Sequence, residues 1–380
     1  MDCRPFRIAI EDDRLAELQR RLSDVRWPGD FANQDWHYGV EEQWLRTAID
    51  YWRDDYDWRA AEAAMNGFPQ FMVDLDGIPI HFIHQRSPRA DAIALLLTHG
   101  WPWTFWDWRG VIGPLADPGD PSVPAFHVVV PSLPGFAFSS PLRTTGIEAR
   151  RIGQLWRKLM CEVLGYERFG AAGGDWGSMI SAELGHAFPD DLIGVNLTLP
   201  MLPGLALDSL PDADFAPDEQ WMPTRMAEAR EATIVHMAVQ FREPQTLAYA
   251  LTDSPVGLAA WLWQRRIAWS DKDGHGRDLD SLCSLASLYW FTNTAATSLR
   301  LYREQFDTPY PPLHARERLI GPPTGYMIAP KDLFMFPRSW AERLTNLERW
   351  TVLPFGGHFV PAEVPDLVVD EYRAIFGSLR

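Results

Sequence analysis

FGAAGGDWGSMISAELGHAF, residues 169–188, reads as a buried strand, a turn too tight for ordinary side chains, and an apolar helix. Gly173 and Gly177 flank the turn, and the residue held between them is Asp175. A strand-to-helix elbow of this kind needs small neighbours and keeps its central side chain exposed on strained backbone. The identity of that side chain selects the chemistry. A carboxylate displaces a leaving group at an sp³ carbon and forms an alkyl ester, whereas a serine alkoxide suits attack on an acyl carbon. The dipole of the following helix favours the ionised carboxylate. A helix-capping Asp followed by packing glycines is the plainer reading of the same residues.

Upstream, AIALLLT (92–98) is a continuous apolar run, as expected of a parallel strand buried on both faces, and it ends in His99-Gly100-Trp101-Pro102. An elbow of this type draws its oxyanion hole from the N–H after the nucleophile and from an N–H in the loop after an early strand, which assigns Trp176 and Trp101. His99, placed before the turn, reads as a brace for the loop. HVVVPSLPGFAFS (127–139) is a second buried strand running into a loop, and residues 147–164 read as a helix. Further upstream, FMVDLDGIPIHFIH turns at Asp76-Gly77, a strong hairpin signal. Leu15, Leu18, Leu22 and Val25 recur at helical spacing, and a second helix is predicted around 40–52.

Downstream, the strand–helix alternation stops from about 201 to 313, replaced by helical stretches with Pro-rich joints, and strand-like runs return at 324–329 and 350–354. This predicts an α/β fold with a mostly parallel sheet: an N-terminal helical segment and first hairpin (1–90), a core (91–200 and 314–380) and an inserted helical cap (201–313). The order nucleophile, acid, histidine then selects the remaining partners. Of ten histidines, His358 lies after a credible acid in a Gly-flanked loop, Gly356-Gly357-His358-Phe359. GYMIAPKD (325–332) ends a strand and offers Asp332, 26 residues earlier, with room for one helix and one strand between them.

Composition narrows the partners. The 380 residues carry a net charge of −16, a field that repels nucleic acid and anionic membranes and fits a neutral or cationic small molecule. Three scattered cysteines (Cys3, Cys161, Cys283) make neither a disulfide framework nor a metal knuckle. The N-terminus has no basic-then-apolar leader pattern, and no run approaches the roughly 18 apolar residues that span a bilayer. A soluble protein in a reducing cytoplasm is expected, with homo-oligomerisation left open. Eighteen Trp and 20 Phe suit an apolar pocket, although most aromatic residues serve packing.

Together GGDWGS, HGWP, DSPVGLAAW, PKDLFMFPRSW and GGHF resemble the microsomal-type epoxide hydrolases over nearly the whole chain. The resemblance implies an α/β-hydrolase fold with a helical cap, an N-terminal meander wrapping the core, no metal and no organic cofactor. It implies an epoxide and water as substrates, with Asp175 as nucleophile, His358 activating water and Asp332 as its acidic partner. It also implies two cap tyrosines that donate to the epoxide oxygen. One maps onto Tyr302 in SLRLYRE; the position of the other, 18 residues before Ser254, holds His236.

That departure leaves alternatives open. His236 is either a second donor or a packed core residue. With an ordinary histidine pKa of about 6.5 it would change charge near neutrality and leave an acidic limb in the rate of ester formation. Tyr289 rivals Tyr302, and Tyr249 is the fallback partner. Trp221, Trp261, Trp263, Trp269 and Phe359 are the candidates for shaping the pocket. Two other classes share the same residues: a haloalkane dehalogenase, which releases halide and needs no phenol, and a non-catalytic receptor, which needs no intact triad.

Overall fold

The apolar periods become a sheet with helices laid against it. A computed structural model describes residues 3–205 and 210–379. Strand β1 (Arg4–Phe6) is followed by helices α1 (Asp12–Ser23), α2 (Glu42–Asp54) and α3 (Trp58–Met65). The α1 periodicity buries Leu18 and Leu22, while Asp12 and Asp13 in its first turn and Arg20 and Arg21 in its last match the helix dipole. Strands β2 (Gln70–Leu75) and β3 (Ile78–Gln85) form the hairpin, with Asp76 and Gly77 both at positive φ, 59° and 83°. That geometry is what an Asp-Gly turn supplies.

The alternating core follows: β4 (Ile93–Thr98), α4 (Arg109–Ala116), β5 (Phe126–Pro131), α5 (Ala149–Arg157), β6 (Phe169–Gly173), α6 (Trp176–Ala187) and β7 (Leu192–Leu197). Among the described residues, five α-helices then intervene, α7 (Trp221–Arg242), α8 (Pro244–Asp253), α9 (Pro255–Trp269), α10 (Leu279–Thr292) and α11 (Ala295–Asp307). The chain returns through β8 (Ile320–Ile328), α12 (Arg338–Leu344), β9 (Thr345–Val352), α13 (Val360–Glu363) and α14 (Pro365–Gly377).

Among the described residues, nine strands form one sheet in the order β1-β2-β3-β5-β4-β6-β7-β8-β9. Pairing is antiparallel from β1 to β5 and parallel from β5 to β9. Every residue of β4 and of β6 is buried, which is why their sequences are continuous apolar or small-residue runs rather than alternations. Helix α10 is buried from Leu282 to Phe291 because the N-terminal helices cover it. The Trp52 indole of α2 donates to Ser287 Oγ at 2.9 Å, and the Tyr56 and Ser284 hydroxyls meet at 2.9 Å. β1, three residues long, is too short to show a period in the sequence. Among the described residues, no helix is long and apolar enough to cross a membrane.

Candidate active site

At the β6–α6 junction Asp175 sits at φ 52°, ψ −125°, a conformation that costs a non-glycine residue about 1–3 kcal/mol. Backbone crowding enforces the small neighbours. A Cβ on Gly177 would lie 1.9 Å from the Thr98 carbonyl oxygen, and one on Gly100 would lie 2.2 Å from Asp175 Oδ1. The loop after β4 therefore lies directly on the carboxylate, and the Trp101 N–H donates to Asp175 Oδ1 at 2.7 Å. Trp176 follows the aspartate as the first residue of α6. His99 is buried with both ring nitrogens engaged: Nδ1 donates to the Gly100 carbonyl at 3.0 Å, and Nε2 accepts from the Leu133 N–H at 3.0 Å. Burial lowers its pKa to about 4, as suits a neutral brace.

His358, in the loop after β9, reaches the same carboxylate from the other side. Its Nε2 is 3.5 Å from Asp175 Oδ2, and its Nδ1 donates to Asp332 Oδ1 at 2.7 Å. Asp332, after β8, is held by the Leu333 N–H at 2.7 Å on the same oxygen. Both His358 and Asp332 are buried. Burial disfavours the imidazolium, yet the charges and hydrogen bonds of Asp332 and Asp175 outweigh it and raise the His358 pKa to about 9. The 3.5 Å gap is longer than a good hydrogen bond, as is common before substrate binds.

Asp175 and Trp176 open into a cavity of about 470 Å³ between sheet and cap. Tyr302 from α11 and His236 from α7 line it, their ring centroids 5.6 Å apart. The Tyr302 ring stands edge-on to Trp176 at 4.8 Å and to Trp101 at 5.8 Å. His236 is stacked on Trp101 at 5.4 Å and lies 4.7 Å from Trp269. Burial, with the Asp175 charge nearby, raises the Tyr302 pKa well above 10. Burial, with Arg265 and His358 adding to it, holds His236 well below 6.5. Near neutral pH the two groups are thus a phenol and an uncharged imidazole.

The fallback Tyr249 and the rival Tyr289 lie elsewhere. Tyr249 is 71% exposed on α8, and the Tyr289 hydroxyl is engaged as a donor to the Trp103 carbonyl at 3.0 Å.

Four of the five expected pocket residues, Trp221, Trp261, Trp263 and Phe359, do not line the cavity. Trp263 packs between α9 and the N-terminal helices, 5.6 Å from Trp52 and 6.2 Å from Trp44, and donates to the Leu282 carbonyl at 2.7 Å. Trp261 donates to Gln240 Oε1 at 3.2 Å under the Arg265 guanidinium, 3.6 Å from its ring centre. Phe359 is fully buried behind Trp269, stacked on it at 6.3 Å, with Arg266 on its own face at 4.0 Å. Helix α9 carries aromatic residues all round, so type alone does not tell which of them faces the cavity. On α9 Trp269 does; Trp221, which begins α7, does not.

The apolar wall comes instead from loops and from residues beside the motifs. Leu199, Met201, Leu202 and Leu205 follow β7, Leu333 and Phe334 follow Asp332, and Met179, Phe241 and Tyr310 complete it. Position just after a strand end was the available signal for the first six.

Residues 3–108 match the family described as "Epoxide hydrolase N terminus", and residues 93–363 match "alpha/beta hydrolase fold". Over 99% of its length the chain is 38% identical to a Stigmatella aurantiaca protein named "Putative epoxide hydrolase", covering 85% of that protein. It is 29% identical to Epoxide hydrolase 1 of Sus scrofa over 99% of this chain and 89% of that one. The solved Aspergillus niger epoxide hydrolase superposes with a TM-score of 0.86 at 28% identity, covering 100% of this chain and 97% of that one. Juvenile hormone epoxide hydrolase of Bombyx mori gives 0.89 at 25% identity, with 100% and 95% covered. With both its N-terminal segment and its core matched in this way, the chain belongs to the microsomal-type epoxide hydrolases, enzymes built on the α/β-hydrolase fold.

Proposed function

We propose that the protein opens an apolar epoxide to a vicinal diol through an ester on Asp175. The observation that carries this reading is the alignment of Asp175, His358 and Asp332, with gaps of 3.5 and 2.7 Å, in which Asp175 opens into a cavity that Tyr302 also lines and the other two lie buried behind it. In the first step an Asp175 oxygen attacks an epoxide carbon, that carbon–oxygen bond breaks, and the released alkoxide takes the Tyr302 phenol proton. A donor is needed because an unprotonated alkoxide is a poor leaving group at neutral pH. The neutral ring of His236 supports this step as a second donor through its N–H.

In the second step His358 Nε2 takes a proton from water, and the hydroxide attacks the acyl carbon of the ester. The Trp101 and Trp176 N–H groups hold the oxyanion. The tetrahedral intermediate collapses and the new carboxyl proton passes to the departing oxygen as the diol leaves, which restores ionised Asp175 beside protonated His358. Asp332 and Asp175 hold the resting His358 ring protonated, with a pKa of about 9; ester formation removes the Asp175 charge, and the ring passes that proton through solvent to the Tyr302 phenolate before it acts as the base. The cavity wall of Leu, Met and Phe side chains supports an apolar substrate.

Asp175→Asn tests the reading. An amide is a far weaker nucleophile, so diol formation is expected to fall by more than about 1000-fold with substrate binding retained. Wild-type yield from a preparation shown by mass to have kept the amide would refute it.

A further inference from the structure

The His358 loop meets the cap backbone against backbone. The His358 N–H donates to the Trp269 carbonyl at 2.9 Å, and a Cβ on Gly357 would lie 2.5 Å from Asp271 N and 2.6 Å from the Trp269 oxygen. Such a buried seam leaves amide groups that need acceptors. One carboxylate supplies them. Glu363, fully buried at the end of α13, accepts from the Asp271 N–H at 2.6 Å and the Gly357 N–H at 3.0 Å on Oε2, and from the Phe359 N–H at 2.8 Å on Oε1. Asp271 adds a fourth bond in the opposite direction, its Oδ2 accepting from the Gly356 N–H at 3.0 Å.

Arg266, one helical turn before Ser270, lies over Phe359 and pairs at 2.7 Å with buried Asp107, whose carboxylate holds Thr104 N at 2.8 Å in the loop after β4. Arg266 and Asp107 thereby tie the end of α9 to the loop that holds Asp175 by a route that does not pass through Glu363. Trp269 stands 5.4 Å from the His358 ring and 4.7 Å from the His236 ring, so the seam borders both sides of the site.

We propose that Glu363 is a positioning residue for the water-activation half of the reaction: it fixes His358 against the cap by gathering the amides of Gly357, Phe359 and Asp271. The inference rests on the proposed Asp175 ester and His358 base. Asp175 is held by its own elbow and by Trp101, and Tyr302 by α11, neither of which hangs from Glu363. Ester formation is therefore independent of the clamp, and ester hydrolysis depends on it.

Glu363→Gln keeps the volume but turns an amide N–H toward donors. In rapid-quench single turnovers with styrene oxide, ester formation is expected within about twofold of wild type, with hydrolysis slowed on the order of 10- to 100-fold, the scale of an ångström-level displacement of a reacting group. The ester then accumulates on Asp175 in the steady state. Glu371→Gln, which alters an equally buried carboxylate paired with Arg349 at 2.8 Å and remote from the seam, is the comparison and leaves the ratio of the two rates unchanged. Equal slowing of both steps in Glu363→Gln, or hydrolysis at the wild-type rate, overturns the clamp. If Glu363→Gln does not fold, Glu363→Asp, which keeps the charge and shortens the reach, is judged by the same ratio. Wild type that forms no ester on Asp175 overturns the underlying reaction and the clamp with it; a normal wild-type ester with an unchanged ratio overturns the clamp alone.

Discussion

The elbow around Asp175 and the cap helix α7 face each other across one cavity and are specified in opposite ways. At the elbow, backbone contact dictates residue type: Gly177 has a carbonyl oxygen where its Cβ would be, and Gly100 has the carboxylate itself. In α7 the buried positions are Met222, Ala229, Thr233, His236 and Gln240, while Ile234 and Val235 are 55% and 51% exposed. The last four buried positions share one face, at steps of four, three and four residues. That inward stripe is partly polar and two apolar residues point outward, the reverse of an ordinary amphipathic helix. The difference teaches that the proposed attacking side is written in backbone constraints, whereas the proposed proton-donating side depends on which face a cap helix turns inward.

If the donating side is as separable as this contrast implies, Tyr302→Phe gives the larger effect. Ester formation is expected to slow by about 100-fold or more, the usual range for a lost general acid, with hydrolysis of a preformed ester little changed. Rapid-quench kinetics of the two steps check it, and equal slowing of both would break the comparison.

A smaller effect is expected at His236. His236→Phe slows ester formation by about tenfold, less than the loss of the phenol, because Tyr302 remains. Its pH behaviour sharpens the point. An ordinary histidine would add a limb near neutrality, but burial holds His236 well below 6.5, so its ring stays neutral from pH 6 to 8 and the limb is displaced to more acidic pH. His236→Tyr therefore keeps activity and leaves the pH profile of ester formation unchanged over that window. A limb near neutrality that disappears in this variant would show that His236 titrates in the ordinary range.

Legibility in the sequence follows the same divide. The hairpin at Asp76-Gly77, the buried β4 and β5 runs and the elbow each carried a local physical signature, and Asp175, His358 and Asp332 meet in the order that their turns and strand ends implied. The cap lacked such signatures. Trp263 and Trp269 lie on one aromatic-rich helix, yet Trp263 packs against Trp52 and Trp269 against His358, a division set by where the N-terminal helices dock. The neutrality of His236 was likewise hidden, because it comes from Trp101 and Trp269 enclosing the ring, contacts between residues far apart in the chain.

The claim on which all of this turns is that the substrate passes through an ester on Asp175 which His358 alone can discharge. His358→Gln keeps the loop and removes the base, so incubation with styrene oxide followed by intact-mass and peptide analysis tests it directly. The account predicts a stoichiometric adduct of substrate mass on the Asp175 peptide that persists while wild type clears it. Normal turnover by the variant, or an adduct on another residue, would contradict it.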